Sequence, residues 1–413
     1  MDLATATEDP ATSLFREYLN IRTVQPDPDY DKGIQFLIRV AEEIGLESKT
    51  LELHPGRVIL ILTWKGTDPQ LRSVILNSHT DVVPVFEEFW TYPPFSAHKD
   101  KDGNIYARGA QDMKCVTIQY LEAVCRLKSE GRRFPRTIHL TLVPGLANPS
   151  EEFSVFYGEK CPWWITVHCG GDPGHGSRFI ENTAAAKLHS VISRFLEFRE
   201  KEKNRLLSDP NLTLGDVTTV NLTRVSGGVS FNVVPSEMTA TFDLRIPPTV
   251  NLKEFERQLE GWCREAGDNI TWEYHQKCMN ERVTTPDDSN PWWKAFSTPC
   301  KEMGLKLKPE IFPAATDSRY IRTAGYSALG FSPMNNTPIL LHDHNEYLNE
   351  DCCATCWRAL TKKKRNMGIR ARFVMESSQG VSVNSKLQCT QGIASGHSNV
   401  QINGKPTKIA IFD

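Results

Sequence analysis

The sequence predicts an α/β protein that carries an inserted α+β domain. Three observations lead there. Apolar runs of strand length alternate with helical stretches up to Val143. The order strand, helix, strand, strand, helix, strand then fills 163–276, and the α/β alternation resumes beyond it. With 413 residues the chain is longer than one compact core usually holds.

The elements follow in order. Ile34, Leu37, Ile38, Ala41 and Ile44 recur at helical spacing, and Gly45 stops that helix. Apolar runs at 51–53, 58–64 and 73–79 read as strands. Gly109 precedes a helical stretch over 113–130 that ends at Gly131, and a strand follows at 138–143. The inserted β-α-β-β-α-β domain is read from pieces at 163–169, 182–205, 217–225, 238–246, 251–266 and 270–276. A helix near 290–303, a short helix near 317–324 and a strand at 327–331 return to the larger domain. The expected organisation is a discontinuous domain of 10–158 and 281–350, an insertion at 159–280, and a divergent, disordered polar tail at 351–413. The basic run Lys362 to Arg365 in that tail reads as a solvated helix end.

Composition excludes several classes. The chain is 39% hydrophobic and 24% charged, with a formal net charge of -2, so no global field favours nucleic acid or anionic lipid. No stretch approaches the roughly 18 apolar residues of a membrane span. Residues 1–13 have neither the basic start nor the apolar core of a secretory signal. Eleven cysteines, an odd number scattered along the chain, point to reduced thiols and a cytoplasmic protein. Cys352, Cys353 and Cys356 cluster, but no second Cys/His pair of metal spacing follows them.

Three short stretches could carry chemistry. Asn77-Ser78-His79-Thr80-Asp81 ends an apolar strand, the edge at which open α/β sheets place ligands. A His two residues before an Asp suits a metal site, although a His there is more often a hydrogen-bonded surface group. Gly109-Ala110-Gln111-Asp112-Met113-Lys114 precedes a helix; Asp112 could bridge two cations or simply cap the helix. Leu341-His342-Asp343-His344-Asn345-Glu346 follows the last strand and could close a metal shell.

With these motifs in view the chain resembles the aminoacylase/carboxypeptidase family of dizinc metallohydrolases, and within it the branch that hydrolyses N-acyl-L-amino acids. NSHTDVVPV, YARGAQDMKCVTIQYLEAV, GHGSRF, GGVSFNVVP, DDSNPWW, PAATDSRYIR, LGFSPMNNTP and LLHDHNE carry the likeness, in two blocks at about 10–144 and 145–350. The resemblance implies a zinc-peptidase-like catalytic domain and an inserted domain that makes a homodimer. It implies two zinc ions held by His79, Asp112 as the bridge, and His342 rather than His344. Asp81 would support the site from behind, His175 would stabilise the developing oxyanion, and Asn232 and Arg319 would hold the substrate carboxylate. Each has a plainer alternative: His175 as a turn cap, Asn232 in a turn, and Arg319 paired with Asp317 on a helix surface.

The sequence also departs from the family. Members follow the Val-Pro that ends the strand with an acidic Asp-Glu-Glu run that supplies the general base and a zinc ligand. A further acidic ligand follows some thirty residues later. Here Val143-Pro144 runs directly into Gly145-Leu146-Ala147-Asn148, in frame, as if one coding segment were skipped. The remaining ligands leave one terminal donor per ion plus the bridge, against the roughly four that zinc prefers. Glu151 and Glu152 are read as solvent-facing. The expectation is therefore an N-acyl-amino-acid hydrolase by resemblance, or a catalytically impaired variant that pairs with or regulates a complete copy.

Overall fold

The computed structural model describes residues 8–54, 57–141 and 147–352, together with two strands in the C-terminal segment. In chain order the elements are α1 (Pro10–Asn20), α2 (Tyr30–Ile44), β1 (Glu47–His54), β2 (Arg57–Trp64), β3 (Val74–Leu76), β4 (His98–Lys99), β5 (Asn104–Tyr106), α3 (Lys114–Ser129), β6 (Ile138–Leu140) and β7 (Phe153–Glu159). Next come β8 (Cys161–Gly170), β9 (Gly174–His175), α4 (Ala184–Ser208), β10 (Thr219–Gly227), β11 (Val233–Val234), β12 (Glu237–Ile246), α5 (Leu252–Glu265) and β13 (Ile270–Lys277). The chain continues through α6 (Pro291–Glu302), β14 (Leu307–Phe312), α7 (Ser318–Thr323), β15 (Gly330–Phe331), β16 (Tyr347–Asn349), β17 (Ser398–Ile402) and β18 (Lys405–Ile409).

Packing divides the chain into two units. One comprises Met1–Val155, Asp287–Lys308 and Phe331–Asp413; the other comprises Phe156–Pro286 and Pro309–Gly330. Residues 309–330, read from the sequence as part of the larger domain, group with the second unit.

In the first unit the sheet order is β1-β2-β6-β3. β3 runs parallel to β6, and the other neighbours are antiparallel. Phe15, Tyr18 and Leu19 of α1, Phe36, Leu37 and Val40 of α2, and Val116, Leu121 and Val124 of α3 form one core with Leu60, Leu62 and Leu140 of the sheet. The pleat sends alternate side chains to opposite faces. Leu60 and Leu62 therefore face this core, while Ile59 is 40% exposed and Ile75 of β3 is 54% exposed. Local chemistry marks the helix ends. Asp9 accepts the Ala11 amide at 2.8 Å and Pro10 opens α1, while Gly45, at φ 76°, closes α2. The sequence reading contains no counterpart of α1, whose apolar residues fall in a single short stretch. The strand expected at 138–143 is described only as far as Leu140, because residues 142–146 lie outside the described set.

The second unit has the order β10-β12-β8-β13, antiparallel throughout. With α4 and α5 it completes the strand and helix order read from the sequence. Trp163, Ile165 and Val167 of β8 and Phe242 and Leu244 of β12 pack against Leu188, Val191 and Phe195 of α4 and Phe255 and Leu259 of α5. Phe195 stacks on Phe242 at 4.1 Å and meets Trp262 edge-on at 5.2 Å. Thr183 and Asn251 cap the two helices through their side-chain oxygens. A buried ion pair, Glu159 to Arg322 at 2.8 Å, ties β7 to α7.

The segment read as a tail, 351–413, lies largely outside the described residues. Its described parts are Asp351 and Cys352 and the antiparallel pair β17–β18, with Val400 opposite Thr407. Among the described residues no helix is long and apolar enough to cross a membrane.

The aromatic stack sets the stability of the second unit. Replacing Phe195 by Ala removes a fully buried ring and leaves a cavity, so the unit should lose about 3–5 kcal/mol. Urea denaturation followed by tryptophan fluorescence reads the loss, and an unchanged midpoint would contradict this packing.

Candidate active site

The loop after β3 is pinned from below. Tyr18 donates to Thr80 Oγ1 at 3.2 Å, Thr23 Oγ1 donates to the Thr80 carbonyl at 2.6 Å, and Ser78 and Thr117 share a 2.7 Å hydroxyl contact. A bridge between Val24 and Val82 completes the clamp. His79, half-buried at the end of this loop, has its Nδ1 2.8 Å from the Asp81 carbonyl oxygen. Donation from that nitrogen fixes the ring so that Nε2 faces inward. The Asp81 carboxylate is farther, at 3.6 Å from Nδ1, and one of its oxygens accepts from Gln25 at 3.1 Å. Asp81 thus orients His79 chiefly through its backbone.

The second and third motifs meet at Glu346, whose side chain is fully buried. Its Oε2 accepts from Arg108 Nη1 at 2.7 Å and from the Gly109 amide at 3.2 Å. Its Oε1 accepts from the amides of Gln111 at 2.6 Å and Asp112 at 3.1 Å. Burial pushes the Glu346 carboxyl up, while Arg108 and these amides pull the other way. Arg108 also donates to the His342 carbonyl at 3.1 Å. Gln111 donates to the Pro338 and Tyr347 carbonyls at 3.0 and 2.8 Å and accepts the Leu340 amide at 3.1 Å. β16 pairs with β5, placing Tyr347 opposite Tyr106. Gly109 has φ 90°, and a Cβ there would come within 2.8 Å of Val82 Cγ1, so only glycine fits without strain.

This framework sets two imidazoles on either oxygen of one carboxylate. His79 Nε2 lies 3.2 Å from Asp112 Oδ1, and His342 Nε2 lies 3.2 Å from Asp112 Oδ2. His342 sits in the left-handed region at φ 64°, an uncommon conformation for a non-glycine residue. His344 turns elsewhere, with its ring 5.1 Å from Phe89 and 6.2 Å from Phe86. Burial alone would lower the His79 pKa, but the Asp112 hydrogen bond and charge, with Asp81, lift it to about 9. Burial would likewise raise the Asp112 carboxyl, yet His342 and His79 hold it well below the usual carboxylate range.

Among the described residues the donors fall short of a dizinc centre. Each Asp112 oxygen faces a different imidazole, so the three groups form two pairs rather than one convergent set. Each pair offers one nitrogen and one oxygen, against the roughly four donors zinc prefers. Among the described residues no group of three or more His, Cys, Asp or Glu is arranged to hold a metal ion. Glu151 pairs with Lys306 at 2.9 Å on the surface and supplies nothing here. The Pro144–Gly145 join, where the resemblance expects an acidic run, lies outside the described residues.

The other predicted residues belong to the second unit. β9 pairs with β11, setting His175 opposite Val233. His175 Nδ1 lies 2.8 Å from Ser177 Oγ, and its Nε2 lies 3.5 Å from Asn232 Nδ2. Both side chains are exposed. Arg319 of α7 donates to the Tyr320 hydroxyl at 3.0 Å and lies over that ring at 4.8 Å. Sequence reasoning missed Arg108, Gln111 and Glu346 as the hub. Their only sequence signal was that they lie inside the motifs.

Comparison with known proteins follows the same lines. The profile of peptidase family M20/M25/M40 matches residues 75–362. Aminoacylase-1A of Rattus norvegicus is 57% identical over 374 residues, covering 83% of this chain and 92% of the rat protein. That span exceeds what 83% of 413 residues can supply, so this chain lacks residues that the rat protein has within the matched stretch. The M20 family metallo-carboxypeptidase Sso-CP2 of Sulfolobus solfataricus superposes with a TM-score of 0.64 at 17% identity, over 85% of this chain and 97% of that one. The Bacillus subtilis YXEP protein, a dinuclear metal binding peptidase from the M20 family, gives a TM-score of 0.60 at 14% identity over 84% and 96% of the two chains. At these identities the two solved structures speak for the fold.

Glu346→Ala should cost about 3–5 kcal/mol, because it leaves the Arg108 guanidinium buried and unpaired. The double change Arg108→Met with Glu346→Leu should cost less than Glu346→Ala alone. Denaturation midpoints of the two variants test the order, and a double variant weaker than the single would contradict it.

Proposed function

The chain belongs to peptidase family M20/M25/M40, and from that premise we propose that its reaction is hydrolysis of N-acyl-L-amino acids to a carboxylate and a free L-amino acid. One observation carries the assignment: 57% identity over 92% of rat aminoacylase-1A, a match that runs through both units. Imidazole and carboxylate donors suit zinc, so His79, Asp112 and His342 are the metal-side residues of the reading, with Asp81 holding His79 in register. His175 presents Nε2 at the surface of the β9–β11 pair, where an imidazole can donate to a developing oxyanion. Asn232 lies beside it. Arg319, held by Tyr320, suits the substrate carboxylate because its planar fork matches one. The inserted domain serves as the dimer-forming element, and the protein works in the cytoplasm, in keeping with its free thiols.

Three observations favour a second reading, a catalytically impaired variant that pairs with a complete copy. The chain has a gap against the rat protein, each Asp112 oxygen has only one imidazole, and Ile59 and Ile75 stand exposed beside the short strand that precedes the Pro144 join. Because the donor set falls short, the chain's own residues are assigned only binding and polarising roles.

Zinc per monodisperse chain, measured by elemental mass spectrometry, should fall below two. Release of methionine from N-acetyl-L-methionine should run about 10²–10⁴-fold below that of a complete relative, the usual contribution of a general base. Two zinc ions with full turnover would overturn the impaired reading. Binding of a dipeptide in preference to N-acetyl-L-methionine would overturn the substrate assignment. Added to a complete copy, the chain should lower activity by forming mixed dimers, and native mass spectra without a mixed species would exclude that role.

A further inference from the structure

Two thiols of the second unit stand together where β8 begins and β13 ends. Cys161 opens β8, and Cys278 follows the last residue of β13, with its amide donating to the Pro162 carbonyl at 3.2 Å. The register sets Lys277 opposite Trp163, so the two cysteines come to neighbouring positions across the strand pair. Cys161 belongs to the core of this unit and Cys278 packs against that core, and Cys161 Sγ lies 3.1 Å from the Asn280 carbonyl oxygen. Both are free thiols; Cys161 is buried, whereas Cys278 is partly accessible. Cys169 and Cys263, by contrast, are both sealed in the core.

We propose that Cys161 and Cys278 form a reversible redox pair that closes to a disulfide when the protein meets a peroxide.

The two sulfurs have unequal roles. Cys278 is the one an oxidant can reach. The neighbouring Cys161 thiol, with the Asn280 backbone and the Arg319 charge, draws the Cys278 thiol below its usual range, against its own desolvation. Cys161 is pushed up and stays a thiol. The Cys278 thiolate attacks one peroxide oxygen and the O–O bond breaks. Cys278 becomes a sulfenic acid, and the leaving hydroxide takes up a proton to give water. The Cys161 sulfur then attacks the sulfenic sulfur, the S–S bond forms, and the expelled hydroxide takes the Cys161 proton. Two electrons in all pass from the sulfurs to the peroxide oxygens. Exchange with a small thiol such as glutathione restores both cysteines.

Closing the pair has a local consequence. The disulfide removes the S–H that faces the Asn280 carbonyl. Asn280 Nδ2 donates to the Arg319 carbonyl at 2.9 Å and to Thr323 Oγ1 at 2.7 Å, so the link leads through Asn280 to α7.

The test uses the full chain with a small excess of hydrogen peroxide, followed by alkylation, digestion without reductant and mass spectrometry. The expected product is a cross-linked peptide joining 161 and 278, two hydrogens lighter than the reduced pair and lost on treatment with dithiothreitol. Tryptophan fluorescence should fall in step, because the Trp163 indole donates to the Cys278 carbonyl at 2.6 Å, beside the new bond. Cys161→Ser should stall oxidation at a Cys278 sulfenic acid that dimedone traps, and Cys278→Ser should leave Cys161 reduced. The unsubstituted chain decides without relying on either variant. Absence of the linked peptide, or a Cys278 sulfenic acid that persists beside a reduced Cys161, overturns the proposal.

Discussion

A single buried carboxylate holds the candidate site in register. Glu346 accepts four hydrogen bonds from Arg108 and from the backbone of the stretch that carries Asp112. Arg108 in turn reaches the His342 carbonyl. Segments more than two hundred residues apart in sequence are thereby fixed to within hydrogen-bond tolerance, which is the precision a catalytic constellation needs. A buried ion pair is weak evidence for stability, since desolvation offsets most of its attraction. Its value here is positional: it fixes the backbone of the Asp112 stretch, while Gln111 and the β5–β16 pairing tie the same two segments together from either side.

Most regular elements were legible in the sequence, the six-residue α7 among them. The helix over 113–130 appears as α3, and the strand and helix order of the insertion appears element by element in the second unit. α1, β7 and β14 were missed, because each is short and its pattern of apolar residues does not distinguish strand from helix. At the site, His79, Asp112 and His342 lie in three separate motifs, and the structure brings both histidines within hydrogen-bond distance of Asp112. His175 and Asn232 likewise meet across β9 and β11. The hub escaped notice because a buried Arg–Glu pair leaves no periodic mark. Each partner looks like an ordinary charged residue until the fold closes the long loop between them.

Framework and chemistry are unequally complete in this chain. The second unit has a continuous core with both of its helices capped. The first unit keeps the clamp on the His79 loop, the Glu346 hub and a well-packed face under its sheet. Among the described residues, what falls short is the donor count, at two per prospective ion. Positioning and ligation are therefore separable here: the scaffold arranges the ligands it has with close tolerance although they do not add up to a closed shell.

Gly109 shows what this separation means for descent. A side chain at its Cα would strike Val82, and its left-handed backbone suits glycine alone. The motif around it is held by packing as well as by any chemistry performed nearby. Selection for a chain that merely folds would preserve this glycine as firmly as selection for turnover. A lineage could thus lose a reaction and still keep this glycine, so its presence alone records foldability as well as chemistry.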